Sequence, residues 1–339
     1  MSPQFVDFNA DGHDDIVCGI FDGSPHVSYW DAEAGGFLQP VGILDKQGQR
    51  IVLNAWWNFD AKQWQDTDRC DPEGGAPAEG HLTSAIAFDY DRDGDWDLVL
   101  GDHKGGYVYL RRNEGSNAAP KFATRNELVM AAGKPMHDPG TVATIRAVDW
   151  NGDGKLDLMV SGMGDPYGEG TGGGVAVYLD ESTSGDKSFG AAVTLIEPSP
   201  KGSVGEPRRP DAGLHPEPVD LDGDGDLDLI VGGYSMWKPN ARELSDAEKA
   251  RAEELQQKLS ELRAESSKLY EQASKAREGL TGEAAQQAFA KAYEQIRPQM
   301  AKVTSQLQPL QKELDKLQPR PQRVSFTWFY ENLAKTGTR

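Results

Sequence analysis

The chain has 339 residues, of which 37% are hydrophobic, with 38 Gly, 20 Pro and a formal net charge of −19. That acidity excludes a nucleic-acid binder, which needs a basic face. No apolar run reaches the ~18 residues of a spanning helix, and two cysteines, Cys18 and Cys70, are too few for a disulfide framework. The start, Met1-Ser2-Pro3-Gln4-Phe5-Val6, shows neither the basic nor the apolar region of a signal peptide. The charge is also unevenly spread. Residues 241–318 hold 13 basic and 13 acidic residues, so the remainder carries the whole −19. A compact domain with that excess repels itself unless a cation neutralises it.

Along the chain, the first predicted element is a short strand at Phe5-Val6, followed by the loop Asp7-Phe8-Asn9-Ala10-Asp11-Gly12-His13-Asp14-Asp15 and a strand over 16–19. The same unit returns three times. Ile86–Phe88 leads into Asp89-Tyr90-Asp91-Arg92-Asp93-Gly94-Asp95-Trp96-Asp97 and a strand over 98–101. Ile145–Val148 leads into Asp149-Trp150-Asn151-Gly152-Asp153-Gly154-Lys155-Leu156-Asp157 and a strand over 158–161. Val219 leads into Asp220-Leu221-Asp222-Gly223-Asp224-Gly225-Asp226-Leu227-Asp228 and a strand over 229–232.

The shared pattern is D-x-[DN]-x-D-G-x-x-D. Oxygen side chains at positions 1, 3, 5 and 9 suit a hard cation such as Ca²⁺, which takes about 6–8 oxygens. Glycine at position 6 lets the backbone turn back with φ > 0. Position 7 varies among His13, Asp95, Lys155 and Asp226, which predicts coordination through its main-chain carbonyl. About four Ca²⁺ sites are therefore expected. An EF-hand is rejected, because it needs a Glu at position 12 and a following helix. Position 12 is Cys18, Leu100, Val160 and Val231, each inside a strand-like run.

A third, aromatic strand is predicted in each repeat at Val27–Trp30, Tyr107–Leu110, Val175–Leu179 and Phe326–Tyr330. Tyr29, Tyr109, Tyr178 and Trp328 are aligned, 22, 20, 29 and 108 residues after the first Asp of their loops. Fourth strands are placed near Val41–Leu44, Glu127–Ala131 and Ala192–Ile196. Short strands repeated in this way make the blades of an all-β β-propeller, with four repeats visible.

The offset of 108 residues locates an antiparallel helical hairpin inserted in the fourth blade. The expected organisation is 1–240 for blades 1–3 and the first half of blade 4, 241–319 for the hairpin, and 320–339 for the rest of blade 4. Ser245 with Glu248 forms a capping box. Leu255, Leu259, Leu262, Ser266, Leu269, Ala273, Ala276 and Leu280 follow a coiled-coil spacing. Gly279 to Gly282 break the helix. A second helix carries Phe289, Ala292, Ile296, Val303, Leu307, Leu310, Leu314 and Leu317 on one face, with kinks expected at Pro298 and Pro309.

The four Asp loops with their following strands resemble the FG-GAP/VCBS repeats of integrin α-subunit propellers and of large secreted bacterial proteins. The resemblance covers roughly 1–240 and 320–339. It implies Ca²⁺ held between the first two strands of each blade by the loop positions named above. Propellers of that family have more blades than four, so the chain is read either as a fragment of a longer secreted protein or as a propeller that closes by assembly.

In an up-and-down blade the Asp loops share one face. The Gly-rich loop 162–174 and the long loop 54–80 fall on the other. The long loop holds Trp56, Trp57, Phe59 and Trp64, aromatics that either stack on a ligand such as a sugar ring or pack over the blade edge. Gly168 to Gly173 match G-x-G-x-x-G but open a strand, so no dinucleotide site is read there. Cys18 is expected to fill core, and Cys70 to be a loop thiol. The expected function is a calcium-stabilised extracellular or cell-surface recognition and adhesion module for a protein or polysaccharide partner. It has two rivals: a polysaccharide lyase drawing on His103, Lys104, His137 and Arg146, and an assembly scaffold acting through the hairpin. No residue set forms a catalytic constellation, so no enzyme is expected.

Overall fold

The computed structural model describes residues 3–66, 81–137, 141–165, 171–199, 206–237, 242–280 and 282–333. The chain divides into two compact units. The strands up to Met236 and from Arg323 onward form one, and the helices between Trp237 and Gln322 form the other.

The first unit is mostly β and is built from antiparallel sheets. Sheet one runs β1 (Gln4–Val6), β2 (Asp15–Gly19), β3 (Pro25–Ser28) and β4 (Val41–Gly42). Sheet two runs β5 (Leu82–Phe88), β6 (Asp97–Asp102), β7 (Val108–Arg111) and β8 (Glu127–Leu128). Sheet three runs β9 (Thr144–Val148), β10 (Asp157–Ser161), β11 (Val175–Tyr178) and β12 (Val193–Ile196). Sheet four has β13 (Ala212–Val219), β14 (Asp228–Trp237) and β15 (Gln322–Tyr330). In each sheet the strands follow one another in chain order. Among the described residues no closed ring of sheets is present.

One register recurs four times. The residue before the first loop Asp lies opposite the ninth: Val6 with Asp15, Phe88 with Asp97, Val148 with Asp157 and Val219 with Asp228. Every Asp loop therefore closes the same hairpin, and its last Asp already belongs to the second strand.

Alternation along the strands puts core on both faces of the middle sheets. In sheet two, Ala85, Ala87, Leu98, Leu100 and Tyr109 pack with Val17 and Val27 of sheet one. Their neighbours Ile86, Phe88, Val99, Val108 and Leu110 pack with Ile145, Leu158 and Val160 of sheet three. Met159 and Val175 of sheet three then meet Leu214, Leu229 and Val231 of sheet four. Gly19 ends β2 and Gly101 is the last residue but one of β6, and both lie where the next sheet comes close. A Cβ on Gly101 would sit 2.5 Å from the Ala143 carbonyl oxygen, and one on Gly19 would sit 2.6 Å from the Leu82 side chain. Ser161 holds the same place in sheet three and donates to the Leu214 carbonyl at 2.8 Å.

The register corrects the aromatic alignment of the third strands. Ile16 pairs with Ser28, Leu98 with Arg111 and Leu158 with Tyr178, so Ser28, Arg111 and Tyr178 are the equivalent residues. Tyr29 and Tyr109 are displaced from that row. Arg111 can occupy the row because its buried guanidinium is satisfied by the Asn126 side chain at 2.7 Å and the Ala123 carbonyl at 2.8 Å. Cys18, expected as core, is half-buried and paired with His26 in β2–β3; Cys70 lies outside the described residues.

In the second unit α1 spans Asp246–Lys275 and α2 spans Gly282–Leu317. The capping box at Ser245 and Glu248 is formed, with both reciprocal hydrogen bonds present. Ala252, Leu255 and Leu259 of α1 pack with Leu314. Leu269 and Ala273 pack with Ile296 and Val303. The seam stops at Ala273: α1 is capped at Ala276, and Leu280 is 45% exposed beyond it. α2 continues through both Pro298 and Pro309. Opposing charges flank the seam, with Arg251 bonded to Glu313 at 2.7 Å.

Candidate metal centres

In each loop the backbone passes twice through the left-handed region. Gly12, Gly94, Gly154 and Gly225 at position 6 have φ of 90°, 91°, 84° and 96°. Nothing lies within 4 Å of a Cβ built on any of them, so glycine is needed for its dihedral and not for space. Position 4 is left-handed as well, at 59° in Ala10, 67° in Arg92, 70° in Gly152 and 79° in Gly223. The sequence pattern did not reveal this second turn, because Ala10 and Arg92 carry no glycine signature.

The two reversals aim main-chain N–H groups at the loop carboxylates. Asp7 accepts from Asp11 at 3.0 Å and from Gly12 at 3.0 Å; Asp149 accepts from Asp153 at 3.0 Å and from Gly154 at 2.8 Å. Asp220 accepts from Gly223 at 2.8 Å and from Gly225 at 3.2 Å. Asn9 and Asn151 each accept from the fifth residue at 3.0 Å. Ligand oxygens from Asp89, Asp91 and Asp93 lie within 4.8 Å of one another, as do those of Asp220, Asp222 and Asp224. In the other two loops Asn9 and Asn151 replace the middle carboxylate.

The ninth Asp has a different environment. Asp15, Asp97, Asp157 and Asp228 are at most 1% exposed. One carboxylate oxygen of each accepts the N–H of loop position 2: Phe8 at 3.2 Å, Tyr90 at 3.1 Å, Trp150 at 3.0 Å and Leu221 at 3.2 Å. The other oxygen accepts an N–H just past the third strand: Trp30 at 2.9 Å, Asn113 at 2.6 Å, Asp180 at 2.7 Å and Asn332 at 2.9 Å. This carboxylate ties loop, second strand and third strand together. Burial pushes Asp97 up to about 7, and it raises Asp15 and Asp157 in the same direction.

Several loop oxygens are out of solvent without a hydrogen-bond donor: Oδ1 of Asp89, Oδ1 of Asp95 and both carboxylate oxygens of Asp226. Burial first, and then the charges of Asp93, Asp91 and Asp89, push Asp95 up to about 6. Buried anionic oxygens that lack donors are costly alone and fit a cation. The carboxylates whose oxygens lie close enough together to hold one are Asp89, Asp91 and Asp93 in loop 2 and Asp220, Asp222 and Asp224 in loop 4.

At the other end of the strands, the loop expected over 54–80 starts with a hairpin, Ala55–Asn58 paired with Gln63–Asp66; residues 67–80 lie outside the described residues. Trp57 and Trp64 are cross-strand partners with ring centroids 5.8 Å apart, and Phe21 sits 6.1 and 5.7 Å from them. The row continues from Trp64 to His81 at 4.2 Å and from His81 to His103 at 4.2 Å. Neither Phe21 nor His81 was singled out from the sequence. Trp56 lies under the Arg50 guanidinium at 4.6 Å, whereas Phe59 is 61% exposed. Burial and the neighbouring His103 hold His81 down to about 4.

The basic residues weighed for lyase chemistry are dispersed in their contacts. His103 stacks on His81, His137 lies 4.7 Å from Tyr107, and Arg146 pairs with Glu217 at 2.9 Å. The backbone N–H of Lys104 donates to the buried Asp102 carboxylate at 3.0 Å. Of the glycine-rich stretch, Gly172 and Gly173 donate to the Ser199 and Asp211 carbonyls and run into β11; residues 166–170 lie outside the described residues.

The family model described as FG-GAP-like repeat matches residues 89–160, from the first Asp of loop 2 to the strand after loop 3. Residues 89–160 therefore carry an FG-GAP-like repeat. The repeat suggests a module of the general adhesion and recognition type. No curated protein matches the chain at a significant level.

Proposed function

We propose that the chain is a calcium-stabilised β-propeller recognition module, in which the four sheets are consecutive blades. Serial face-to-face packing of four chain-ordered sheets supports the blade reading, as does the succession of first strands, β5 beside β9 and β9 beside β13. The observation that carries the calcium reading is the set of solvent-shielded carboxylate oxygens without donors in loops 2 and 4. Sites of this type in extracellular modules bind at ~10⁻⁴–10⁻³ M, which matches a role outside the cell or on its surface. The aromatic row Phe21, Trp57 and Trp64, with Phe59 beside it, is the ligand surface, and its partner is a polysaccharide or a protein. The role is binding and not catalysis, and the helical hairpin serves self-association.

Calorimetric titration of Ca²⁺ into chelator-treated protein tests the central part of this reading. Uptake with stabilisation against heat is the expected result. An unchanged melting temperature with and without chelator would overturn it.

A further inference from the structure

Each of the first three sheets turns one face toward the sheet that follows it, and equivalent residues build that face each time. The second strand supplies Val17, Val99 and Met159, all shielded from solvent. Two residues further on, Gly19, Gly101 and Ser161 meet the first strand of the next sheet or the residue before it. The third strand supplies Val27, Leu110 and Val177, three residues before the N–H that the ninth Asp accepts, and all are buried. Loop position 2 supplies Phe8, Tyr90 and Trp150.

In sheet four the equivalent residues are Ile230, Gly232, Phe329 and Leu221, and they lack that cover. Ile230 is half-buried, Phe329 is 39% exposed and Leu221 54%. Tyr330 packs into the core shared with sheet three, so its neighbour Phe329 is turned the other way. Among the described residues nothing lies within 4 Å of a Cβ built on Gly232, and its φ is not left-handed. Glycine inside a strand weakens it and marks the close approach of another backbone. Gly232 thus keeps the small residue of the packed sheets where its own copy brings no backbone close.

The opposite face of sheet one is uncovered too. Leu98 and Leu100, Leu158 and Val160, and Leu229 and Val231 are buried against the preceding sheet. Their equivalents Ile16 and Cys18 are only half-buried. Phe5, paired with Ile16 as the buried Ala87 is with Leu98, is 62% exposed.

We propose that the uncovered face of sheet four seats sheet one of a second copy of this chain, continuing head to tail the sheet-on-sheet packing inside each copy. The seat fits the back of a sheet of this same kind, and sheet one is the sheet whose back is uncovered. Two copies, each seating the other, satisfy both ends about a twofold axis. They bring eight sheets together, within the range that propellers use. This rests on the reading of the sheets as blades.

The test is light scattering of the full chain over a range of concentrations, with near-ultraviolet circular dichroism as the folding control. The unmodified chain should reach twice the 37.0 kDa of one copy. Phe329→Asp spoils the seat and Phe5→Asp spoils the face that fills it. Each should weaken association about tenfold or more, because the contact would bury an unpaired charge. An equimolar mixture of the two at raised concentration should regain the dimer, since each copy keeps one sound face. Gly232→Leu adds bulk where one copy has open space, so it should fold and dissociate, which keeps the test decisive if Phe329→Asp folds poorly. A monomer throughout, a dimer indifferent to Phe5→Asp, or no recovery in the mixture would overturn the head-to-tail contact and leave the blade reading intact. A dimer that responds to all three variants but shows no ring in negative-stain electron microscopy would keep the contact and overturn the blade reading.

Discussion

The Asp228 carboxylate accepts the backbone N–H of Asn332 at 2.9 Å, across 104 residues of chain. Asn332 returns a second bond, its side-chain amide donating to the Leu227 carbonyl at 3.2 Å. The same strut spans only 15 residues in sheet one, between Asp15 and Trp30. The long helical insertion therefore interrupts the sequence of sheet four without interrupting its geometry. Replacing 242–321 by a short Gly/Ser linker should leave a folded β unit with unchanged calcium stoichiometry. Circular dichroism and calorimetry check this, and aggregation of the shortened chain would count against it. If the hairpin serves self-association, the same deletion should lower the mass measured by light scattering.

Loop carboxylates of two kinds should respond differently to mutation. Asp97 accepts two buried N–H groups, so Asp97→Ala leaves both without a partner and should cost about 2–4 kcal/mol, with or without calcium. Asp93 lies among the cation-facing oxygens, so Asp93→Ala should destabilise only while calcium is present. Urea unfolding of both variants in Ca²⁺ and in chelator separates the two roles. An Asp97→Ala loss that vanished in chelator would mean that the strut contributes little.

The loops and their hairpins were legible because fixed Asp and Gly positions mark each one, and because a short apolar run follows every time. The strut was not. Its partners Trp30, Asn113, Asp180 and Asn332 are four different residues that contribute only a main-chain N–H, which leaves no side-chain signature. The left-handed fourth position was hidden for a related reason, since Ala10 and Arg92 adopt it without being glycine. The third-strand register was misjudged where Arg111 takes a place that aromatic spacing assigns to Tyr109. A buried arginine reads as surface until its Asn126 and Ala123 acceptors are known.

Acid should weaken the β unit through His81. Its folded value of about 4 lies below the ordinary 6.5, so the fold prefers the neutral ring. A depressed histidine contributes full stability above about pH 6.5, and that contribution is lost as pH falls toward 4. The loss should amount to about 1–3 kcal/mol, given ~1.4 kcal/mol per pKa unit and partial exposure. Asp97, raised to about 7 by burial, acts in the opposite sense, because protonation favours its folded form once pH falls below that value. Melting His81→Gln and the unmodified protein in chelator at pH 7.5 and 5 isolates the histidine contribution. The variant should lose less stability on acidification. Parallel losses in both would assign the acid effect elsewhere.

The aromatic row offers a way to separate packing from recognition. Trp64 touches Trp57, Phe21 and His81, so Trp64→Ala should cost about 2–4 kcal/mol, discounted from the values for fully buried aromatics because it is 37% exposed. Phe59 is 61% exposed, so Phe59→Ala should change stability by less than about 0.5 kcal/mol. A surface that exists only to cover the sheet edge would make Phe59 dispensable in every assay. A surface that stacks on a ligand would lose affinity in Phe59→Ala while melting normally, because an exposed ring with little packing to lose still offers its face to a partner. Glycan-array binding of the unmodified protein, Phe59→Ala and Phe21→Ala decides between them. Retained binding in both variants would move the ligand surface away from this row.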